Sequence, residues 1–204
     1  MRRCLLEPVP ELELAAKLLD AAADAVLIGR KDLAASLVAQ ADVPEIGIWV
    51  RRLVGATSLD VHRNLRQPES CPKHERDPRR MPTRAGELEI FVRDGWRCRF
   101  CDTRVINRAA RSVLARLFPA EAHCTGPEFQ RHTALYAMAA SLDHVVPHSR
   151  RGTNESSNFV TACYGCQFGR GQWLLEEVEL LDPRERSPRQ DGWDGLTRLA
   201  KWPV

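Results

Sequence analysis

Two stretches of this 204-residue sequence decide the fold: RDGWRCRFC at residues 93–101 and NFVTACYGCQFGRG at residues 158–171. Each contains two cysteines separated by two residues. Two such pairs can present four thiolates to one tetrahedral ion, which is the arrangement of a closed structural zinc site. A redox pair is the alternative, but it usually occurs singly within a βαβ pattern, which the sequence does not show. The predicted zinc ligands are Cys98, Cys101, Cys163 and Cys166.

The two cysteine pairs lie far apart in the sequence. The 61 residues between them exceed the ~15–20 of a simple zinc ribbon, so we expect an insertion to loop out. Residues 104–140 contain two helical patterns and are predicted to form this insertion. The seven cysteines are an odd number, and the sequence starts without an export signal. Metal binding is therefore favoured over a disulfide framework.

A second group of motifs lies between and after the cysteine pairs. Asp143-His144 precedes a proline and a basic turn, and Asn158 opens the second stretch. Together with the cysteine pairs, and in the same order along the chain, these motifs resemble the HNH endonuclease family over residues 93–177. The resemblance implies a β-hairpin followed by a helix around one divalent metal ion. We therefore predict an α+β protein with a ββα-metal (HNH) nuclease core, a Cys4 zinc site, a helical insertion and an N-terminal helical subdomain.

The chemistry of these residues suits phosphodiester hydrolysis. His144 can take a proton from water at neutral pH, and Asp143 offers a hard oxygen to Mg²⁺ or Mn²⁺. Adjacent side chains on a strand point to opposite faces, so both serve one site only if the strand ends or bulges there. The resemblance implies that Asn158 holds the loop bearing the histidine. It also implies that the residue after Cys166 is the second metal ligand, and here that residue is Gln167, where the family has Asn or His.

The distribution of charge favours DNA as the partner. Residues 63–118 contain 14 basic and 7 acidic side chains, a net charge of +7, whereas the whole chain carries only +3. A concentrated basic excess is expected of a surface that faces a polyanion. Contacts between arginine side chains and the DNA phosphate backbone give affinity without selecting a base sequence. The arginines predicted to make them are Arg150, Arg151, Arg170, Arg97 and Arg99.

The remaining sequence indicates the domain organisation. Residues 1–62 contain three helical patterns, over 11–28, 31–41 and 44–55, and are predicted to form a helical subdomain that could bind a protein partner. The predicted segments that follow are a basic proline-rich linker at 63–85, the nuclease domain at 86–182 and a polar tail at 183–204.

No apolar run reaches the ~18 residues that a membrane span needs. The basic N-terminus meets Glu7 and Pro8 before any apolar run builds, so a secretory signal is not expected and a cytoplasmic location is predicted.

Three functions are compatible with the sequence. The first is a metal-dependent DNA endonuclease with structural zinc and catalytic Mg²⁺ or Mn²⁺. The second is a zinc-stabilised nucleic-acid-binding module that has lost cleavage, which Gln167 favours. The third is a protein-interaction adaptor. The sequence does not indicate the oligomeric state.

Overall fold

The computed structural model describes residues 1–54, 69–127 and 130–201 of the chain. Its helices and strands, in chain order, are α1 (Glu11–Leu27), α2 (Lys31–Gln40), α3 (Pro44–Val54), α4 (Arg84–Arg93), α5 (Arg108–Leu117), α6 (Thr133–Ala137), β1 (Ser141–His144), β2 (Phe159–Ala162) and α7 (Tyr164–Arg170). Short 3-10 helices lie at Lys73–Glu75, His148–Arg150, Ser156–Asn158, Glu176–Val178, Pro183–Glu185 and Thr197–Lys201. Parts of the predicted helices 44–55 and 127–140, of the linker and of the tail lie outside the described residues.

The mixture of helices with one small sheet confirms the α+β class. Strands β1 and β2 pair antiparallel, with Ser141 opposite Ala162 and His144 opposite Phe159. The strand predicted over residues 141–147 ends at His144. Beyond this point the side chain of Asn158 replaces a backbone partner of the opposite strand, because its Oδ1 accepts the N–H of Val146 at 2.9 Å.

The N-terminal helices share one apolar core with the rest of the chain. Helix α1 buries Leu19 and Val26 completely, in keeping with its helical apolar spacing. Helix α3 packs on α7, and the approach is so close that a Cβ on Gly165 would lie 2.8 Å from Leu53 and 3.2 Å from the ring of Trp49. The region predicted as a helical subdomain thus contacts the helix that follows the second cysteine pair.

The tail also packs against the body of the protein. The indole nitrogen of Trp193 donates to the carbonyl of Val105 at 2.8 Å. Asp191 accepts from Arg104 at 2.8 Å, next to the first cysteine pair. These contacts place the tail over the hairpin that carries Cys98 and Cys101.

No single helix of the described ranges combines the length and the apolar composition that a membrane crossing requires. Helices α2 and α3 meet that test only when taken together, and they are bent by 53° with respect to each other.

Candidate metal centre and active site

The four cysteines of the two pairs form one buried cluster. Their sulfur atoms all lie within 4.8 Å of one another, and Cys101 Sγ is 3.7 Å from Cys163 Sγ. An arrangement of this size could hold a metal ion. The structure therefore confirms that the two pairs meet in space, although 61 residues separate them in the sequence.

Local backbone geometry presents the sulfur atoms. At the first pair the chain turns back in a small hairpin, in which the N–H of Cys98 donates to the carbonyl of Thr103 at 2.8 Å. Asp102 completes the turn with a left-handed φ of +67°. At the second pair Cys163 caps helix α7, where its Sγ accepts the N–H of Cys166 at 3.4 Å.

One buried carboxylate joins the two halves of the cluster. Asp94 is 1% exposed, and its Oδ2 accepts the N–H of Thr161 on β2 at 2.7 Å. The N–H of Arg99 donates to the carbonyl of the same Thr161 at 2.8 Å. This role of Asp94 was not predictable from the sequence, because Asp94-Gly95 is also an ordinary turn signal.

The thiols influence one another's ionisation. Hydrogen bonding with Cys163 is the main cause that lowers the pKa of Cys101. Hydrogen bonding with Cys101 is the main cause that raises the pKa values of Cys163 and Cys166. Negative charge on one sulfur thus opposes ionisation of its neighbours, and a bound divalent cation would remove that opposition while releasing protons.

A cavity of about 710 Å³ lies next to this cluster and brings three of the predicted site residues together. Asp143, His144 and Gln167 all line it. Strand β1 ends at His144, which is the condition under which two adjacent side chains can face one site. Asn158 does not line the cavity and instead lies behind it.

The carboxylate of Asp143 is paired with a buried arginine. Arg170 is 1% exposed, and its Nε and one terminal nitrogen contact the two carboxylate oxygens at 2.9 and 2.8 Å. Burial raises the pKa of Asp143 to about 6, while Arg170 opposes the rise. The ion pair with Arg170 thus favours the charged carboxylate against the effect of burial.

Gln167 contributes a different kind of group to the lining of the cavity. Its amide nitrogen donates to the carbonyl of Leu142 at 2.9 Å, which fixes the orientation of the side chain. Its Oε1 is buried, and among the described residues no group donates a hydrogen bond to it. A buried carbonyl oxygen without a partner is costly, so this atom is a candidate ligand for a hard cation.

The surroundings of His144 favour its neutral form. Burial lowers its pKa below the usual value, and hydrogen bonding with Asn154 opposes that effect. The Nε2 atom is 3.4 Å from the Asn154 Oδ1, and the ring packs on Phe159 with centroids 4.3 Å apart. A lowered pKa leaves the imidazole unprotonated at neutral pH, which a general base requires.

Asn158 fastens the loop that follows His144. Its Nδ2 donates to the carbonyls of Val146 and Thr153 at 3.0 and 2.9 Å, and its Oδ1 accepts from Val146. The loop is tight, since a Cβ on Gly152 would lie 1.7 Å from the carbonyl oxygen of Val146. The side chain thus makes the contacts expected of a residue that holds the histidine loop.

We expect Asn158→Ala to lower the free energy of unfolding by about 2–4 kcal/mol, because three hydrogen bonds worth about 1 kcal/mol each are lost and buried groups remain unpaired. Chemical denaturation measures the change. Asn154→Ala is the matched control, since its contacts to His144 and Asp77 are long, at 3.4 and 3.3 Å, and therefore weak. Equal losses for the two variants would contradict the role given to Asn158.

The arginines predicted to grip phosphate are engaged with protein groups. Arg150 forms a two-bond pair with Glu177, at 2.8 and 3.1 Å. Arg151 donates to Glu75 at 3.1 Å, and its backbone has a left-handed φ of +63°. Arg170 is buried against Asp143, a placement at odds with phosphate contact.

The two arginines of the first cysteine pair are buried as well. Arg97 is 4% exposed and pairs with Asp191 at 2.5 Å. Arg99 donates to the carbonyl of Pro183 at 2.8 Å. Both tie the tail to the first cysteine pair, so these contacts account for the packing of the tail.

The far wall of the cavity comes from the region predicted as a linker. Residues 69–82, named the 69–82 segment below, contribute Lys73, Arg76, Asp77, Pro78, Arg80 and Met81 to the lining. The N–H of Cys71 donates to the carbonyl of Ser149 at 2.8 Å, and His148 Nε2 donates to the carbonyl of Asp77 at 2.8 Å. The described part of the predicted linker is therefore packed against the site.

Comparisons with protein-family models, with curated proteins and with solved structures find no match for this chain. The assignment of function therefore depends on the site itself.

Proposed function

We propose that this protein is a metal-dependent endonuclease that hydrolyses DNA phosphodiester bonds through an HNH-type site. One observation carries the proposal: Asp143, His144 and Gln167 line a single cavity beside a buried four-cysteine cluster. The antiparallel pair β1–β2, followed directly by α7, supports it, because this order is the one that the resembled family uses.

Zinc suits the four-cysteine cluster. Four thiolates would complete the tetrahedral coordination of zinc, so the ion would bind no substrate and would act on stability alone. The ion would join the first hairpin to the start of α7 and so fix the position of Gln167, the residue that follows Cys166.

Mg²⁺ or Mn²⁺ suits the oxygen atoms of the cavity. Mg²⁺ is usually bound by one or two carboxylates together with waters and substrate phosphates. Gln167 Oε1 and the carboxylate of Asp143 would hold the ion from the protein side. When bound, it would neutralise charge on the phosphate that is cut.

The residues of the chain carry out the remaining steps. His144 accepts the proton of the attacking water, since its neutral imidazole faces the cavity. Asn154 lies beside the imidazole ring, and Asn158 fixes the loop that connects His144 to Asn154. Arg170 keeps Asp143 charged and in place.

Incubation of supercoiled plasmid with the protein and a series of divalent metals tests the proposal. We expect nicked or linear plasmid with Mg²⁺ or Mn²⁺ and unchanged plasmid without an added divalent ion. Plasmid that stays supercoiled with every metal, in the presence of folded zinc-loaded protein, would contradict the proposal.

A nucleic-acid-binding module without cleavage is the second candidate. The pairing of both Asp143 oxygens with Arg170 favours it, because the arginine competes with a cation for the same carboxylate. Binding of the plasmid without cleavage would establish this alternative.

A further inference from the structure

We propose that the 69–82 segment is the phosphate-binding wall of the catalytic cleft, and that Lys73 and Arg80 contact the DNA backbone there. This inference rests on the proposed function, and it assigns DNA contact to residues other than the arginines that the sequence suggested.

The segment is fixed in place by contacts spread along its length. Ser70 Oγ donates to Gln172 Oε1 at 3.0 Å near its start. Glu75 pairs with Arg151 in the middle. Asp77 accepts the backbone N–H of Asn154 at 3.1 Å, three residues before Arg80. A wall anchored in this way can present charges in fixed positions.

The cations of this wall differ in how they are engaged. Arg76 is used internally, since its guanidinium donates twice to the carbonyl of Cys71, at 3.0 and 2.8 Å. Lys73 and Arg80 are exposed and line the cavity, and within the described ranges neither has an ion-pair partner. They are therefore the available cations at the cavity.

The acidic groups of the cavity do not cancel these charges. Asp143 is paired with Arg170. Asp77 is the one carboxylate that the 69–82 segment contributes to the lining, against the three cations Lys73, Arg76 and Arg80, so a positive excess remains at the cavity. Arg80 is also near His144, since its backbone hydrogen bonds with the histidine.

A phosphodiester backbone fits this arrangement. Its phosphates carry regularly spaced single charges, and Lys and Arg are the side chains that neutralise them. Because His144, Gln167 and the two cations line the same cavity, DNA lying along it would place a phosphate against the base while the neighbouring phosphates contact the cations.

Adjacent arginines give a sharp test. Arg79 and Arg80 are both exposed, but only Arg80 lines the cavity. Binding of a fluorescein-labelled DNA duplex to the full chain is measured by anisotropy across a series of salt concentrations, without added Mg²⁺ or Mn²⁺. Thermal melting of each variant checks folding, which should be unaffected because the three substituted side chains are exposed.

We expect Arg80→Ala and Lys73→Ala each to weaken binding about tenfold, since a hydrogen bond to a charged group is lost. Each should also reduce the magnitude of the slope of log binding constant against log salt concentration by about one, which is the signature of one lost phosphate contact. Arg79→Ala should keep the wild-type slope. Equal effects of Arg79→Ala and Arg80→Ala, or a wild-type protein that does not bind the duplex, would overturn the proposal.

The same variants separate this proposal from that of the function. If Lys73→Ala and Arg80→Ala weaken binding but no metal supports cleavage, the phosphate-binding role of the segment is supported and the endonuclease proposal is wrong. If both variants bind DNA normally while the plasmid is cleaved, the phosphate-binding role is wrong and the endonuclease proposal is supported. Faster cleavage by either variant would mean that the segment covers the site as an inhibitor, and would overturn the wall.

Discussion

Cys166→Ser should release the structural metal and unfold much of the protein. Structural zinc contributes about 10–16 kcal/mol of apparent free energy in small zinc-binding peptides. A protein of this size has only about 5–15 kcal/mol of total stability. Because the cluster joins the first hairpin to α7, and α7 packs on α3, the loss should spread from the cluster into the shared core.

Elemental analysis and thermal melting of the purified variant measure these effects together. Cys124→Ser is the matched control, since this cysteine is half-buried in the insertion and lies outside the cluster. The control should keep one zinc per chain and an unchanged melting temperature. A Cys166→Ser protein that retains a full equivalent of zinc and melts like the wild type would show that the cluster is not a structural metal site.

His144→Ala should abolish metal-dependent cleavage while the protein stays folded. Positioned general acid–base catalysis contributes about 10²–10⁴-fold to a rate, and the imidazole is the proposed base. Zinc content should not change, because the cysteine cluster does not involve this residue. Initial rates of plasmid nicking at saturating Mn²⁺ measure the loss.

His74→Ala controls for the loss of a histidine near the site. His74 belongs to the 69–82 segment, but its side chain is 81% exposed and does not line the cavity. Its removal should leave the nicking rate unchanged. Nicking by His144→Ala at the wild-type rate would rule out His144 as the base, and the mechanism would then need another proton acceptor.

The parts of the site that were predictable from the sequence are those whose signal is local. Two cysteines with two residues between them form a compact turn whatever lies elsewhere in the chain, so the cluster could be predicted across a long insertion. The role of Asn158 was expected only from the resemblance, which implies that this residue holds the loop bearing the histidine. Its contacts to Val146 and Thr153 match that expectation.

The partners of the charged residues could not be predicted in this way. An arginine next to a candidate site looks the same in the sequence whether it faces DNA or a carboxylate of its own chain. Arg150 and Glu177 are 27 positions apart, and Arg151 and Glu75 are 76 apart. Only the tertiary fold shows that these guanidinium groups are paired.

The 69–82 segment illustrates the same limit for the backbone. Prolines at 72, 78 and 82 disfavour regular structure, and a linker is the natural interpretation of such a stretch. Irregular chain can nevertheless be fixed by contacts with distant residues, such as Asp77 with Asn154. The sequence indicates the absence of regular helices and strands here, but not the packing against the site.

Anomalous diffraction from crystals of the His144→Ala variant, grown with Mn²⁺ and a DNA duplex, tests most directly whether the protein binds a structural zinc and a separate catalytic ion. We expect zinc among the four cysteine sulfurs and manganese in the cavity, coordinated by Gln167 Oε1, Asp143 and a phosphate oxygen of the DNA. Manganese bound elsewhere with the duplex outside the cleft, or four sulfurs without a metal ion between them, would contradict this expectation.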